Sequence, residues 1–510
     1  MRVKPRLFFQ IFMCTVLVSL SACGRSAGSS NDEAGGQNSK GAPERAEISI
    51  MTITPSTPPA SDDNVIKREI EKLTDSKLDI QWISNNVYDD KLNITLVSGE
   101  MPDLTYISDP FGPSFRNLVK QGAIWDITPY LKDYPNLQKG VPEVAWELTK
   151  MEDGKNYGIP RGRDANDVSF LILRKDWLDK LGLQTPKTTE ELYGVLKAFA
   201  EKDPDGNGKA DTFGLSAGID TLTGTFREIF TGVTGSWKEE GDGLTYAPFL
   251  PEARESLAYL AKLYSEKLLP EDLLTLKTTQ VRDYYIGNRA GGVIDKTGTG
   301  PKVYSPGLKK LVPSYKEADF YPLAALNGFV PKGTGFNGIL AIPKTVPEDK
   351  LKQILKLVDT WLTPEVSAVQ RFGIEGIHYR VENVVKIVDP DKLLKDNASD
   401  FNQIVNSIDP ALNPPPANPE LKELEDLRSQ VDAQRSKENV PDIGVGLYSP
   451  VAEKLLPDLE KRISDLTAKI VIGQEPLSAW DDLVAKTKSD PQFIQATKEM
   501  SDAYRKRNGH

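Results

Sequence analysis

Asp203, Asp205, Asn207 and Asp211 set four oxygen-bearing side chains at alternate places in DPDGNGKADTFG, residues 203–214. Counted from Asp203 they fill positions 1, 3, 5 and 9 of a calcium loop. Gly208 stands sixth, where the chain must turn, and Lys209 seventh, where only a backbone carbonyl is required. The twelfth place, which should hold a bidentate Glu, holds Gly214. Hard oxygen donors without His or Cys select Ca²⁺ over zinc. The expectation is a structural calcium ion held by Asp203, Asp205, Asn207, the Lys209 carbonyl and Asp211, with water or a bidentate Asp211 replacing the missing ligand. The same run also suits a metal-free Asp/Gly turn. Other chemistry is limited by supply: the histidines are His378 and His510, and the cysteines Cys14 and Cys23. Ser–His or Cys–His catalysis would rest on His378 alone. A disulfide framework and a thiolate zinc site are excluded.

The elements that must position such groups follow from the pattern along the chain. A length of 510 residues predicts two or three domains, and 39% hydrophobic with 27% charged residues is a soluble globular balance. A formal net charge of -10 argues against nucleic acid and anionic membrane faces as partners. Residues 1–22 read as a secretory signal: Arg2, Lys4 and Arg6, then LFFQIFMCTVLVSL, too short for a confident membrane span. Leu20-Ser21-Ala22-Cys23 resembles the lipobox of bacterial lipoproteins, in which the Cys becomes the mature N-terminus and carries the lipid, here a palmitate-type anchor at Cys23. The Gly/Ser/Asn-rich stretch 23–45 then serves as a flexible tether.

Beyond the tether, EISIMTI, LDIQWI and DLTYIS read as strands, with helices at 64–74 and 89–98 between them. That order predicts an α/β unit with a largely parallel sheet. Farther on, Thr188 and Glu191 form a capping-box pattern before a helix whose Leu192, Val195, Leu196 and Phe199 share a face. Leu351, Ile354, Leu355, Val358, Trp361 and Leu362 do the same in a second helix, and the Pro-rich run 409–419 reads as a loop before a charged helix. The calcium-like run has a helix before it and a strand or loop after it, so it is not helix–loop–helix.

Six short motifs occur in order: DGKNYGIP (153–160), LRKDWLDKLGL (173–183), KTTEELYGVLKAF (187–199), the 203–214 loop, NGILAIPK (337–344) and FGIEGIHY (372–379). Together with the lipobox, this set resembles the family 1 extracellular solute-binding proteins of bacterial ABC importers, and among them the sugar-binding lipoproteins that take up oligosaccharides. The resemblance spans essentially the whole mature chain. It implies a two-lobe clam-shell, each lobe α/β, with a ligand cleft between the lobes and helical additions at the C-terminus. The first lobe is expected from 46–160 plus about 284–335, and the second, more helical lobe from 161–283 plus about 336–510. It further implies a monomer held at the extracytoplasmic face of the cell membrane by its lipid alone, with an ABC permease as partner, no nucleic acid and no enzymatic activity. Relatives with a similar calcium loop support the metal reading of 203–211.

Within that frame, candidate ligand contacts are residues that hydrogen-bond hydroxyls, stack on sugar faces or bind a carboxylate. Asp109 and Phe111 follow the third strand, where ligands meet the carboxyl ends of α/β sheets; the alternative is a plain Asp-Pro turn. Arg161, Arg163 and Asp164 lie past the first expected crossing, and the alternative is a solvated charged loop. Trp237 lies in an apparent loop with no apolar helix face to join, unlike Trp177 and Trp361. Glu375 and Tyr379 follow a helix end and are expected on the second lobe, with His378 read as a structural histidine. Lys296 and Tyr304 complete the set. Arg161, Arg163 and Lys296 would suit a uronate. Rival readings are a secreted polysaccharide-degrading glycoside hydrolase, which needs two carboxylates around the scissile bond, and the same fold with a non-sugar solute.

Overall fold

The computed structural model describes residues 45–382, 385–408 and 421–508. The signal segment, Cys23, the tether to residue 44 and the Pro-rich run 409–419 lie outside them. In chain order the strands are β1 (Ala46–Thr54), β2 (Ser76–Ser84), β3 (Leu104–Ile107), β4 (Ile159–Gly162), β5 (Phe170–Arg174), β6 (Trp237–Glu240), β7 (Gly243–Tyr246), β8 (Gly292–Asp295), β9 (Phe320–Pro322), β10 (Phe336–Ala341), β11 (Tyr379–Glu382) and β12 (Val385–Val388).

The expected strand–helix alternation at the start of the body is present. Asn64 caps the helix Val65–Leu73 by accepting from the Ile66 and Lys67 amides, and Ile66 and Ile70 bury its inner face. β1 pairs in parallel with β2 and β3, setting Ile50 beside Ile80 and Leu104. β10 inserts antiparallel between β3 and β4, with Ile339 opposite Ile107 and Pro160, giving the order β2-β1-β3-β10-β4. Leu351, Ile354, Leu355, Val358 and Trp361, the face read from the sequence, cover this sheet from the helix Glu348–Trp361. These residues form the core of lobe one.

Lobe two is built around β5, which pairs antiparallel with both β8 and β9. Leu192, Val195, Leu196 and Phe199 of the helix Thr189–Glu201 pack on it as their spacing predicts. Thr188 caps that helix, but the Glu191 carboxylate accepts from Lys187 N rather than from the cap residue itself. The helices Pro450–Val471, Leu477–Lys488 and Pro491–Asn508 close a further core with the β6–β7 hairpin.

Lobe membership differs from expectation in two segments. β8 and the segment through Phe329 belong to lobe two, not lobe one: Val293 pairs with Ile172, and Leu323, Leu326 and Phe329 join the lobe-two core. Residues 336–405 belong to lobe one, where β10 pairs with β3 and β4 and Phe401, Ile404 and Val405 are buried. Only the part from 421 onward is in lobe two as expected. The chain therefore crosses after β4 and returns just before β10. Short apolar strands such as GVID and GILA fit either sheet by pattern, and pairing with a distant partner decides between them.

Candidate binding cleft

β4 runs parallel to β1, β2 and β3 because both β3 and β4 oppose β10. The four carboxyl ends therefore share one sheet edge, the edge at which α/β sheets bind ligands. Arg161, in β4, lies beneath that edge. Its guanidinium sits 3.8 Å from the centre of the Tyr106 ring and donates to Asn337 O (3.1 Å) and Gln403 O (2.8 Å). Tyr106 in turn donates to Asn337 Oδ1. At 1% exposure Arg161 ties β3, β10 and residue 403 together rather than reaching a ligand, which corrects its reading as a contact. A cavity of about 10 Å³ borders it, room for roughly one water beside the unpartnered Nη2.

Arg163 stands two residues on, half-buried, where the chain leaves lobe one. Its backbone N–H donates to Gly335 O at 2.9 Å, tying the outgoing crossing to the returning one. Its side chain makes one hydrogen bond, to the carbonyl of Gly162 (2.8 Å), and no ion pair among the described residues. Burial, and then the charge of Arg161, push its pKa down to about 9. Asp164 is exposed and folds onto its own loop, accepting from Asn166 N. The loop is pinned to lobe two by Arg435, which is buried and donates to the carbonyls of Asn166 and Leu323.

From lobe two, the turn after β8 comes alongside this crossing: a Cβ on Gly298 would lie 3.9 Å from Asp167 Oδ2. Lys296 is exposed and its backbone carbonyl accepts from Thr299 Oγ1. Tyr304 is fully buried with its hydroxyl on Asp295, so it is a core residue. Lys302, which the sequence reading passed over, is open to solvent. Yet surrounding protein, then Arg371 and Arg428, hold its pKa below the ordinary lysine range, against the pull of Asp167 and Glu425. Arg371 ends the lobe-one helix Pro364–Phe372 and Arg428 lies on the lobe-two helix Lys422–Glu438, so cations from both lobes converge here.

The 374–379 turn is on lobe one, not on lobe two as expected, because it continues the helix Pro364–Phe372 that packs in that core. His378 is buried; Nδ1 accepts from Ile374 N and Nε2 faces Asp396 Oδ2, both at 3.0 Å. The accepting Nδ1 assigns the proton to Nε2 and makes the ring structural. Glu375 is exposed. Tyr379 meets Phe372 edge-on at 6.4 Å, with Lys386 Nζ 4.5 Å from the Phe372 centre and 4.9 Å from the Tyr379 centre, an aromatic pair next to Arg371.

Three other candidates remain: Trp237, Asp109 and Phe111. Trp237 is 4% exposed, begins β6, and packs on Tyr246 at 5.3 Å and against Gly444 within the C-terminal helical core. It has no free face for a sugar. Asp109 is exposed and accepts from Phe111 N at 3.0 Å, the Asp turn weighed against a ligand role. Phe111 is half-buried beneath Gly446.

In the 203–214 loop, Asp203 accepts from the amides of Asn207 and Gly208, and the Asn207 side-chain amide donates to Asp205 (2.7 Å) and Asp211 (3.0 Å). Lys209 N donates to Asn207 Oδ1. Asp203 and Asp205 face one another: a hydrogen bond from Asp205 lowers the Asp203 pKa, while burial and Asp203 raise that of Asp205. Among the described residues no three His, Cys, Asp or Glu side chains gather closely enough to hold a metal ion. Here Asp205 and Asp211 share the Asn207 side-chain nitrogen, while Asp203 accepts from backbone amides. The oxygen-only set fits a hard cation if the Asn207 amide turns over and presents Oδ1. The missing twelfth ligand has a packing reason: a Cβ on Gly214 would stand 2.7 Å from Leu196 O, so no side chain fits there.

Residues 54–368 match the family model of the bacterial extracellular solute-binding proteins. The chain belongs to that family. It is 32% identical over 92% of its length to the polygalacturonan/rhamnogalacturonan-binding protein YtcQ of Bacillus subtilis, covering 94% of that protein. It is also 28% identical over 90% of its length to the lipoprotein LipO of the same organism, covering 92% of it. Among solved structures, the alginate-binding protein AlgQ2 shares the fold at TM-score 0.69 and 20% identity, covering 91% of this chain and 98% of that one. FusA of Streptococcus pneumoniae in complex with kestose does so at 0.66 and 17%, covering 91% and 100%. The two-lobe architecture is thus that of the solute-binding proteins, and these are binding proteins rather than enzymes.

Proposed function

We propose that this solute-binding protein captures an oligosaccharide between its lobes and delivers it to the permease of an ABC importer. The observation that carries the reading is the near full-length similarity to YtcQ, together with the cations of both lobes around Lys302 and the Phe372–Tyr379 aromatic pair beside Arg371. Aromatic faces suit the apolar C–H faces of sugars. Closure is driven by the solute binding the closed state better than the open one. The protein acts as a monomer, anchored through a lipid on Cys23 at the outer face of the cell membrane, with no nucleic-acid role. The lipobox and the similarity to LipO support the anchor. A calcium ion at Asp203, Asp205, Asn207, the Lys209 carbonyl and Asp211 braces lobe two and does not touch solute.

A thermal-shift screen of the full chain against neutral and acidic oligosaccharides, with the same mixtures checked for cleavage, tests the reading. The expected result is a raised Tm with one class and intact sugar. Released product establishes the hydrolase alternative, and no shift with any sugar overturns sugar binding.

A further inference from the structure

Among the described residues, the crossing between the lobes carries a cation without a counter-ion. Arg163 is half-buried, its guanidinium bonded only to the carbonyl of Gly162, and among the described residues no carboxylate pairs with it. Arg161 supplies a second positive charge two residues away, its Nε and Nη1 held by Asn337 and residue 403 and its guanidinium against the Tyr106 ring. Holding a guanidinium in partial burial without an anion is unfavourable, and two of them close together more so. Recognition of a neutral sugar does not need this arrangement, since hydroxyls are held as well by amides and carboxylates. A carboxylate from outside relieves it, because the planar fork of Arg pairs with both carboxylate oxygens.

We propose that Arg163 is the carboxylate-binding group of the cleft and that the solute it selects is an oligosaccharide bearing uronate residues. The inference rests on the sugar-binding reading above and adds the class of sugar and the residue that reads it. Lys302 from lobe two, open to solvent and without an ion pair among the described residues, supplies the second basic point. The turn that carries it lies beside Asp167 in the same crossing. Both lobes therefore gain from the same anionic solute, which favours the closed state. The depressed pKa values of Arg163 and Lys302 agree with charges that lack a neutralising partner.

The test is titration calorimetry of the full chain with trigalacturonate, its methyl ester, galactotriose and a triglutamate peptide. Hydrogen bonds to charged groups contribute about 1.5–3 kcal/mol, so the wild type is expected to bind the acid at least about tenfold more tightly than the ester. Affinity for the acid, and not for the ester, should fall as NaCl rises, a measurement that needs no variant. Arg163→Gln should lose about tenfold for the acid and stay within about twofold for the ester, and Arg163→Lys should recover part of the loss. A wild type that holds ester or galactotriose as tightly as acid overturns the uronate assignment and leaves sugar binding standing. Arg163→Gln that keeps its preference for acid overturns the role of Arg163. Triglutamate binding as tight as trigalacturonate overturns the sugar class, and binding to no sugar overturns both readings.

Discussion

The ring of Tyr448 lies 4.5 Å from the guanidinium of Arg116, and the two residues belong to different lobes. Lys120 Nζ stands 4.4 Å from the same ring and donates to its hydroxyl at 2.9 Å. Arg116 is buried, donating to Phe111 O and paired with Glu152, so its position in lobe one is set. The segment that presents Tyr448 is rooted in lobe two: Arg507 grips the carbonyls of Ile443 and Val445, and Asp442 accepts from Gly444 N. Gly446 presses on lobe one, where a Cβ would meet Leu148 O at 3.0 Å and the Phe111 ring at 3.7 Å. The segment thus bridges the two lobes, and its contact with lobe one helps to hold them together.

Tyr448→Ala should therefore shift the lobes toward the open state. Two cation–π contacts and a hydrogen bond, each worth about 0.5–1 kcal/mol where partly exposed, amount to about a tenfold weaker solute affinity through loss of the closed state. Small-angle scattering should show a larger radius of gyration without ligand, and Tyr448→Phe should fall between wild type and Ala. Equal affinity and equal radius for Tyr448→Ala would sink the bridging role.

Trp237→Ala separates core from cleft. The ring fills space between Tyr246 and Gly444 in the core of the C-terminal helices, and truncating a buried Trp costs about 3–5 kcal/mol. The expected outcome is a Tm lower by about 10 °C with solute affinity of the folded protein within about twofold of wild type. An affinity loss of tenfold or more at unchanged Tm would return Trp237 to the binding site.

Helix faces were legible because their period is local: Leu192 to Phe199 and Leu351 to Trp361 are buried as their spacing requires. The first three strands were legible for the same reason. Lobe membership of β8 and β10 was not, since Val293–Ile172 and Ile339–Ile107 pairings join residues over 100 positions apart. Arg161 and Arg163 show the limit at a site. Alternation along a continued strand would set both on one face, but β4 ends between them at Gly162, so one is spent inside the lobe and the other left at the edge. The strand end is set by pairing with β10, which the sequence alone does not reveal. Trp237 looked loop-bound because the helices that cover it come some 200 residues later.

Asp442 predicts a pH dependence. Its carboxyl is pushed up by burial, as are those of Glu228 and Glu460 near Arg227. A carboxyl with a raised folded pKa binds protons more readily in the folded state, so its charge lowers stability as pH rises through that pKa, and the cost disappears on acidification. Asp442→Asn keeps an oxygen for Gly444 N and removes the charge. It should raise Tm at pH 7 by about 1–3 °C, with the difference from wild type shrinking toward pH 4. A difference independent of pH, or a variant less stable at pH 7, would contradict this assignment.

Calcium should act on stability and not on solute contact. The Asp203–Asp205 pair is held together with one carboxyl raised and the other lowered, an arrangement a divalent cation would relieve. The loop is fastened to lobe two by Lys180 on Pro204 O and Thr212 on Phe199 O, so bracing it stiffens the lobe that bears Lys302. A ligand at a hundredfold excess over its Kd adds about 2.7 kcal/mol, so Tm in added calcium should exceed Tm in EDTA by several degrees. Asp205→Asn should abolish that gap while leaving sugar affinity within about twofold. Identical melting in EDTA and in calcium would leave DPDGNGKADTFG as a metal-free turn. Loss of sugar binding on chelation at a temperature well below Tm would instead couple the loop to the cleft.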